Sequence, residues 1–134
     1  MKRRSYLKTL LAAGAALPAA VAQQKAAAKN PIVLYVDMAV DPSKEKELVR
    51  MYHADFLPVA KKHEGFIDLK IVKLRKALQG SAPAGMNYRF QLTMESEELR
   101  QKWITSPDHL RVWPPMEALM KDTKNYTVLL CDAV

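Results

Sequence analysis

Between Met86 and Met94 the chain alternates with a strict period of two. Met86, Tyr88, Phe90, Leu92 and Met94 fall on one side, while Asn87, Arg89, Gln91 and Thr93 fall on the other. Successive strand side chains point to opposite faces, so this pattern predicts a strand with its apolar side on a core. A helix would scatter the same residues around its circumference. One such strand cannot bury its own face, so the flanking segments must supply sheet partners and a cover.

They carry the patterns to do so. Ile32 to Val40 alternates as a first strand. Asp41 is a candidate N-cap, with Pro42 as first helical residue and Glu45 in the first turn. Leu48, Met51, Tyr52, Phe56, Val59 and Ala60 then form an apolar stripe, with a kink expected at Pro58. Glu64-Gly65-Phe66 turns the chain into a second strand, Ile67 to Leu78, whose change of phase predicts a bulge near Ile71 and Val72. Gln79 to Gly85 reads as a hairpin loop. After the third strand, Ser96, Glu97 and Glu98 start a second helix with Leu99 and Trp103 on its inner face. Ser106-Pro107-Asp108 restarts a helical turn that Pro114-Pro115 is expected to interrupt before Met116 to Lys121, and Asn125 to Asp132 closes as a fourth strand.

This is the βαββαβ order of a ferredoxin-like α+β fold, a four-stranded antiparallel sheet with helices on one face. The second face is mixed, with Val33, Tyr35, Leu129 and Cys131 beside Asp37, Arg89 and Gln91. Solvated faces of antiparallel sheets usually turn polar, so a mixed face predicts a sheet that meets the sheet of a second copy. Cys131 lies in an apolar run and is expected to be a buried, inert thiol; as the single cysteine it excludes an intrachain disulfide.

The chain has 134 residues and a formal charge of +7, from 21 basic and 14 acidic side chains. Four of the basic residues (Lys2, Arg3, Arg4, Lys8) lie within the first 22 positions, which hold no acid; the remainder has 17 against 14, or +3. A body so balanced gives no electrostatic footprint for nucleic acid. Residues 1–22 join that charged opening to 13 uncharged residues, Leu10 to Ala22, ending in the small-x-small pattern Ala20-Val21-Ala22. The apolar run is too short to span a bilayer and contains Pro18. Besides an uncleaved membrane anchor, two export readings stand: Arg3-Arg4-Ser5-Tyr6-Leu7-Lys8 resembles a twin-arginine export signal, and an ordinary secretory signal is the alternative. Either implies a periplasmic or secreted protein that meets the membrane only during export. Residues 23–30 read as a flexible tether, and 31–134 as one domain.

The order of elements, the Glu64-Gly65-Phe66 turn, and Trp103 followed by Ser106-Pro107-Asp108-His109 resemble the dimeric α+β barrel superfamily, in particular its antibiotic biosynthesis monooxygenase-like branch, with the stress-responsive barrels a near second. The resemblance implies a homodimer (a dimeric α/β barrel) with a small-molecule cleft between sheet and helices. Some members oxygenate phenolic, quinol-type or polyketide-like aromatics with molecular oxygen and no cofactor; others degrade haem. Haem-degrading members use an asparagine on the first strand, where this chain has Tyr35 and Asp37.

For cofactor-free oxygenation the substrate must be deprotonated and its anion held. His109 is the candidate base and Arg89 the candidate anion holder, with Tyr35, Asp37, Gln91 and Trp103 as substrate-binding candidates and no metal. Each has a plainer alternative. His109 can cap or pair locally, Arg89 and Asp37 can form a structural ion pair, and Trp103 can be packing. His53 and His63, ten residues apart on one helix, do not share a face for a metal. The functional alternatives are therefore an exported oxygenase and a non-catalytic small-molecule-binding or stress-responsive barrel.

Overall fold

The computed structural model describes residues 30–134. The leader expected over 1–22, and the tether over 23–30 apart from Asn30, lie outside the described residues. β1 (Ile32–Met38) leads through a 3-10 turn (Pro42–Lys44) to α1 (Glu45–Met51), a π-helical turn (Tyr52–Phe56) and α2 (Leu57–Ala60), which run on as one helix. β2 (Phe66–Lys73) and β3 (Tyr88–Met94) form a hairpin; α3 (Glu97–Ile104), α4 (Pro107–Glu117) and β4 (Thr127–Asp132) complete the chain. The sheet order is β2-β3-β1-β4 with every pairing antiparallel, the ferredoxin-like arrangement expected from the element order.

Register follows the apolar phase. Ile32, Leu34, Val36 and Met38 stand opposite Met94, Leu92, Phe90 and Tyr88. All eight face the helices and pack with Leu48, Tyr52, Phe56, Trp103, Val112 and Met116 in one core. The polar caps read from the sequence form as hydrogen bonds. Asp41 accepts from Ser43 N–H at 2.9 Å, Ser96 from Leu99 N–H at 3.2 Å and Ser106 from His109 N–H at 3.2 Å.

The first helix resolves a geometric problem in its own sequence. Its buried residues Leu48, Tyr52, Phe56 and Ala60 are spaced four apart. In an α-helix of 3.6 residues per turn, each such step drifts by about 40° around the axis. The π turn takes the drift back: Leu57 N–H reaches five residues to the Tyr52 carbonyl, and all four side chains stay on the core. Pro58 lies just beyond, where its ring would crowd the Ala54 carbonyl of a regular helix and its missing N–H leaves no bond to lose. The expected kink is thus a local widening.

Three boundaries differ from expectation. The bulge sits between Phe66 and Asp68, not near Ile71: Phe66 pairs with Met94 and Asp68 with the adjacent Thr93, so Ile67 is the extra residue, and β2 ends at Lys73. β1 ends at Met38 because the Asn87 side chain takes Val40's backbone, donating to its carbonyl at 2.7 Å and accepting its N–H at 2.8 Å. α4 continues through Pro114 and Pro115. The carbonyls that lose their helical donors belong to Leu110 and Arg111, both exposed, where water can replace the lost bonds. Cys131 is also corrected: it is exposed, because it pairs with Val33 on the sheet face that no helix covers, at the edge of the sheet.

Gly65 fixes the turn into β2. Its φ is +90°, and a Cβ there would lie 2.6 Å from Leu99 Cδ1 and 2.8 Å from Leu99 Cβ. Left-handed strain and overpacking add at this position, so Gly65→Ala should lose about 2–4 kcal/mol of stability in urea unfolding.

Candidate functional site

α3 and α4 lie across the apolar face of the sheet and leave a cavity of about 190 Å³ between themselves, the π turn and the start of β4. Its wall is mostly aromatic: Phe56, Phe90, Trp103, His109, Trp113 and Tyr126. Arg100 and Trp103 come from one face of α3, and His109 and Trp113, four apart, from one face of α4. The rings brace one another edge to face. Trp103 lies 5.0 Å from His109 and 5.6 Å from Phe56 between ring centroids, and His109 stacks on Trp113 at 6.3 Å.

Most polar groups on this wall are already engaged. Arg100 grips Glu97 through two hydrogen bonds of 2.6 and 2.7 Å. Tyr126 donates to Glu117 at 2.6 Å; burial and that carboxylate push its phenol up to about 12. His109 is the exception. Its Nδ1 is the one buried side-chain nitrogen or oxygen among the described residues with no hydrogen-bond partner. Burial, and secondly the Arg100 charge, hold its imidazole below the ordinary histidine range, while Glu117 and the Ile104 carbonyl pull weakly the other way. The ring is therefore neutral at pH 7. In the tautomer protonated at Nε2, the buried Nδ1 carries a lone pair with no partner.

Of the expected site residues, the cavity collects His109 and Trp103 only. Tyr35, Asp37, Arg89 and Gln91 lie on the opposite face of the sheet, because they alternate with Leu34, Val36, Phe90 and Leu92, which face the helices. A single constellation of His109 with Arg89 does not form within one chain. Arg89 donates two hydrogen bonds, 2.6 and 3.0 Å, to Asp37 and stacks over Tyr35 at 5.1 Å. That is the structural ion pair. The Asp37 carboxylate is 3% exposed against 35% for Arg89, so Arg89→Ala should cost about 1–3 kcal/mol by stranding it. The same variant should leave ligand affinity at the cavity within about twofold, since the full sheet separates the two.

His63 sits behind the cavity. Its Nε2 meets Asp108 Oδ2 at 3.0 Å and its ring packs edge-on against Trp103 at 4.7 Å, tying the turn after the first helix to the start of α4. The His63 bond and a second from Arg111 lower the Asp108 carboxyl. The sequence reading missed Phe56, Arg100, Trp113 and Tyr126. The helical spacing Arg100–Trp103–Ile104 and His109–Trp113 was the available signal, since it puts each set on one helix face.

No protein-family model matches the sequence, and no curated protein matches it. Solved structures do match its shape. A candidate antibiotic biosynthesis monooxygenase from Caulobacter crescentus superimposes with a TM-score of 0.64 at 13% identity, over 79% of this chain and 92% of that one. A dimeric ferredoxin-like protein of unknown function from Jannaschia gives 0.63 at 15% identity, over 78% and 98%. The fold is ferredoxin-like. A hydroxynitrile lyase from Passiflora edulis has the same shape, with a TM-score of 0.64 at 11% identity over 79% and 95% of the two chains. One ferredoxin-like frame thus carries different chemistries, and the reading of this chain rests on its own cavity.

Proposed function

We propose that this chain binds a small phenolic or quinol-type aromatic in the cavity and oxygenates it with molecular oxygen without a bound cofactor. The observation that carries the reading is the unpartnered Nδ1 of a neutral His109 on an aromatic wall. A ring of the ligand packs on that aromatic wall, and its hydroxyl donates to the Nδ1 that lacks a donor. A cavity of about 190 Å³ suits one ring, since benzene occupies an apolar cavity of about 150 Å³.

His109 takes the hydroxyl proton, and the electron-rich phenolate reduces oxygen. For hydroquinone, one oxygen atom of O₂ is retained on the ring as hydroxyquinone and the other leaves as water, so atoms and electrons balance without an external reductant. Arg100 is the cation on this wall, in place of Arg89; its donors beyond the Glu97 pair, together with the protonated His109, hold the developing anion. The likeness to a candidate antibiotic biosynthesis monooxygenase supports this class of chemistry.

The protein acts as an exported homodimer in this proposal. The mixed second face pairs Val33 with Cys131 and Tyr35 with Leu129, and a second copy would cover it, in keeping with the dimeric ferredoxin-like neighbour. Oxygen uptake with a panel of phenols and hydroquinones, alongside sedimentation equilibrium of residues 30–134, tests the proposal. Saturable uptake by a dimer is expected. Ligand retention without uptake would favour the non-catalytic barrel, and a monomer at micromolar concentration would remove the paired-sheet element.

A further inference from the structure

We infer that Phe56 sets the upper size limit of the ligand, restricting the cavity to a single aromatic ring. The inference rests on the proposed binding role of the cavity and deepens it. Phe56 is the sole contribution of the first helix to the wall, and its ring touches four others: Phe90 at 5.0 Å, Trp103 at 5.6 Å, Trp113 at 6.2 Å and His109 at 6.5 Å. It is therefore the point where the sheet, both later helices and the proposed base converge.

The sequence holds it there by an unusual device. Phe56 is the last residue of the π turn, which carries the four-residue spacing of Leu48, Tyr52, Phe56 and Ala60 around to one face. Without that turn, the ring would lie about 40° further around the helix from Tyr52 and away from the cavity. Phe56 shares a wholly apolar ring with Phe90, which the central strand β3 holds in place, and differs from the other large side chains on the wall. Trp103, Trp113, His109, Arg100 and Tyr126 carry polar atoms, so trimming them changes hydrogen bonding as well as volume. Trimming Phe56 changes volume and shape alone. Phe56 belongs to the apolar core together with Tyr52 and Ala60 of its own helix, so a smaller side chain enlarges the cavity toward apolar neighbours.

The test compares phenol with 1-naphthol, which present the same hydroxyl on one ring and on two. Affinities are read by calorimetry or by quenching of Trp103 and Trp113 fluorescence. Transfer from water alone favours the larger ring. A wild-type preference for phenol of tenfold or more therefore reports steric exclusion. Phe56→Leu is expected to reduce that preference at least tenfold, by admitting 1-naphthol. Phe56→Trp is expected to weaken phenol itself at least tenfold, by filling the space, and it guards against a Leu variant that fails to fold. A wild-type protein that takes 1-naphthol as tightly as phenol, or Phe56 variants that keep the wild-type ratio, would overturn the inference. His109→Leu separates the two ideas. If phenol binds as well without His109, the proposed function fails while the size limit still stands on the Phe56 series.

Discussion

Replacing His109 by alanine is expected to lower oxygen uptake on hydroquinone by roughly 10²–10⁴-fold, the usual contribution of a positioned general base. Stopped-flow or electrode measurement of uptake under saturating hydroquinone checks this. The fold should survive the related His109→Leu change with little loss, because the wild-type ring carries a buried nitrogen without a partner and leucine removes that cost. pH gives a second signature of the same group. Burial holds the His109 pKa in the folded chain below its ordinary 6.5, so the neutral, proton-accepting ring persists to lower pH than in an unfolded chain. Uptake should accordingly be full above about pH 6.5 and decline as pH falls through the lowered value. Stability follows the same sign. The unfolded chain binds the proton more readily, so the His109 contribution is complete above the unfolded value and is lost as pH falls through the folded one. His109→Leu should remove that portion of the stability profile and leave the remainder in place.

Trp103→Ala should be the most damaging single change to the fold. The indole is buried at 3% exposure and lies between His63, His109 and Phe56. Truncating a tryptophan in such a site costs about 3–5 kcal/mol through lost burial and the void left behind. For a domain of this size that corresponds to a fall in Tm of at least about 12 °C. The loss should also appear at the cavity. With the wedge removed, His63 and His109 lose their shared neighbour, and the His63–Asp108 contact that ties the two helices loses its backing. Calorimetric melting of Trp103→Ala beside Trp103→Phe checks this; the phenylalanine variant should recover a substantial part of the loss because it keeps an aromatic ring in the gap.

The fold was legible because its main signals are periodic and local. The alternation at Tyr88 to Met94 fixes which side of β3 meets the helices, and the caps Asp41, Ser96 and Ser106 fix where helical segments begin. The bulge was harder. A phase change between Phe66 and Val72 can be absorbed at several points, and pairing with β3 selects Ile67. Burial of Cys131 misled for a different reason. An apolar run at a sheet edge looks like one at the centre, but Cys131 pairs with Val33 on the face away from the helices, where no helix covers the edge strand.

The site was legible in part. That Arg89 and His109 serve different faces follows from the strand pattern itself, since Arg89 alternates with Phe90 and Phe90 meets the helices. Arg100 offered a weaker signal. Its spacing from Trp103 points it inward, but the Glu97 pair that holds it there is a local helical contact of a kind common on exposed surfaces. Phe56 carried none, because a phenylalanine in an apolar stripe reads as core, and the π turn that aims it depends on packing along the whole helix.

Ring nitrogen resonances of His109, followed by NMR during a phenol titration, test the occupied cavity most directly. A saturable change at His109 Nδ1, with His53 unmoved, is the expected result. A saturable change confined to residues of the opposite sheet face, such as Tyr35 and Gln91, with His109 unaffected, would place the ligand elsewhere and contradict it.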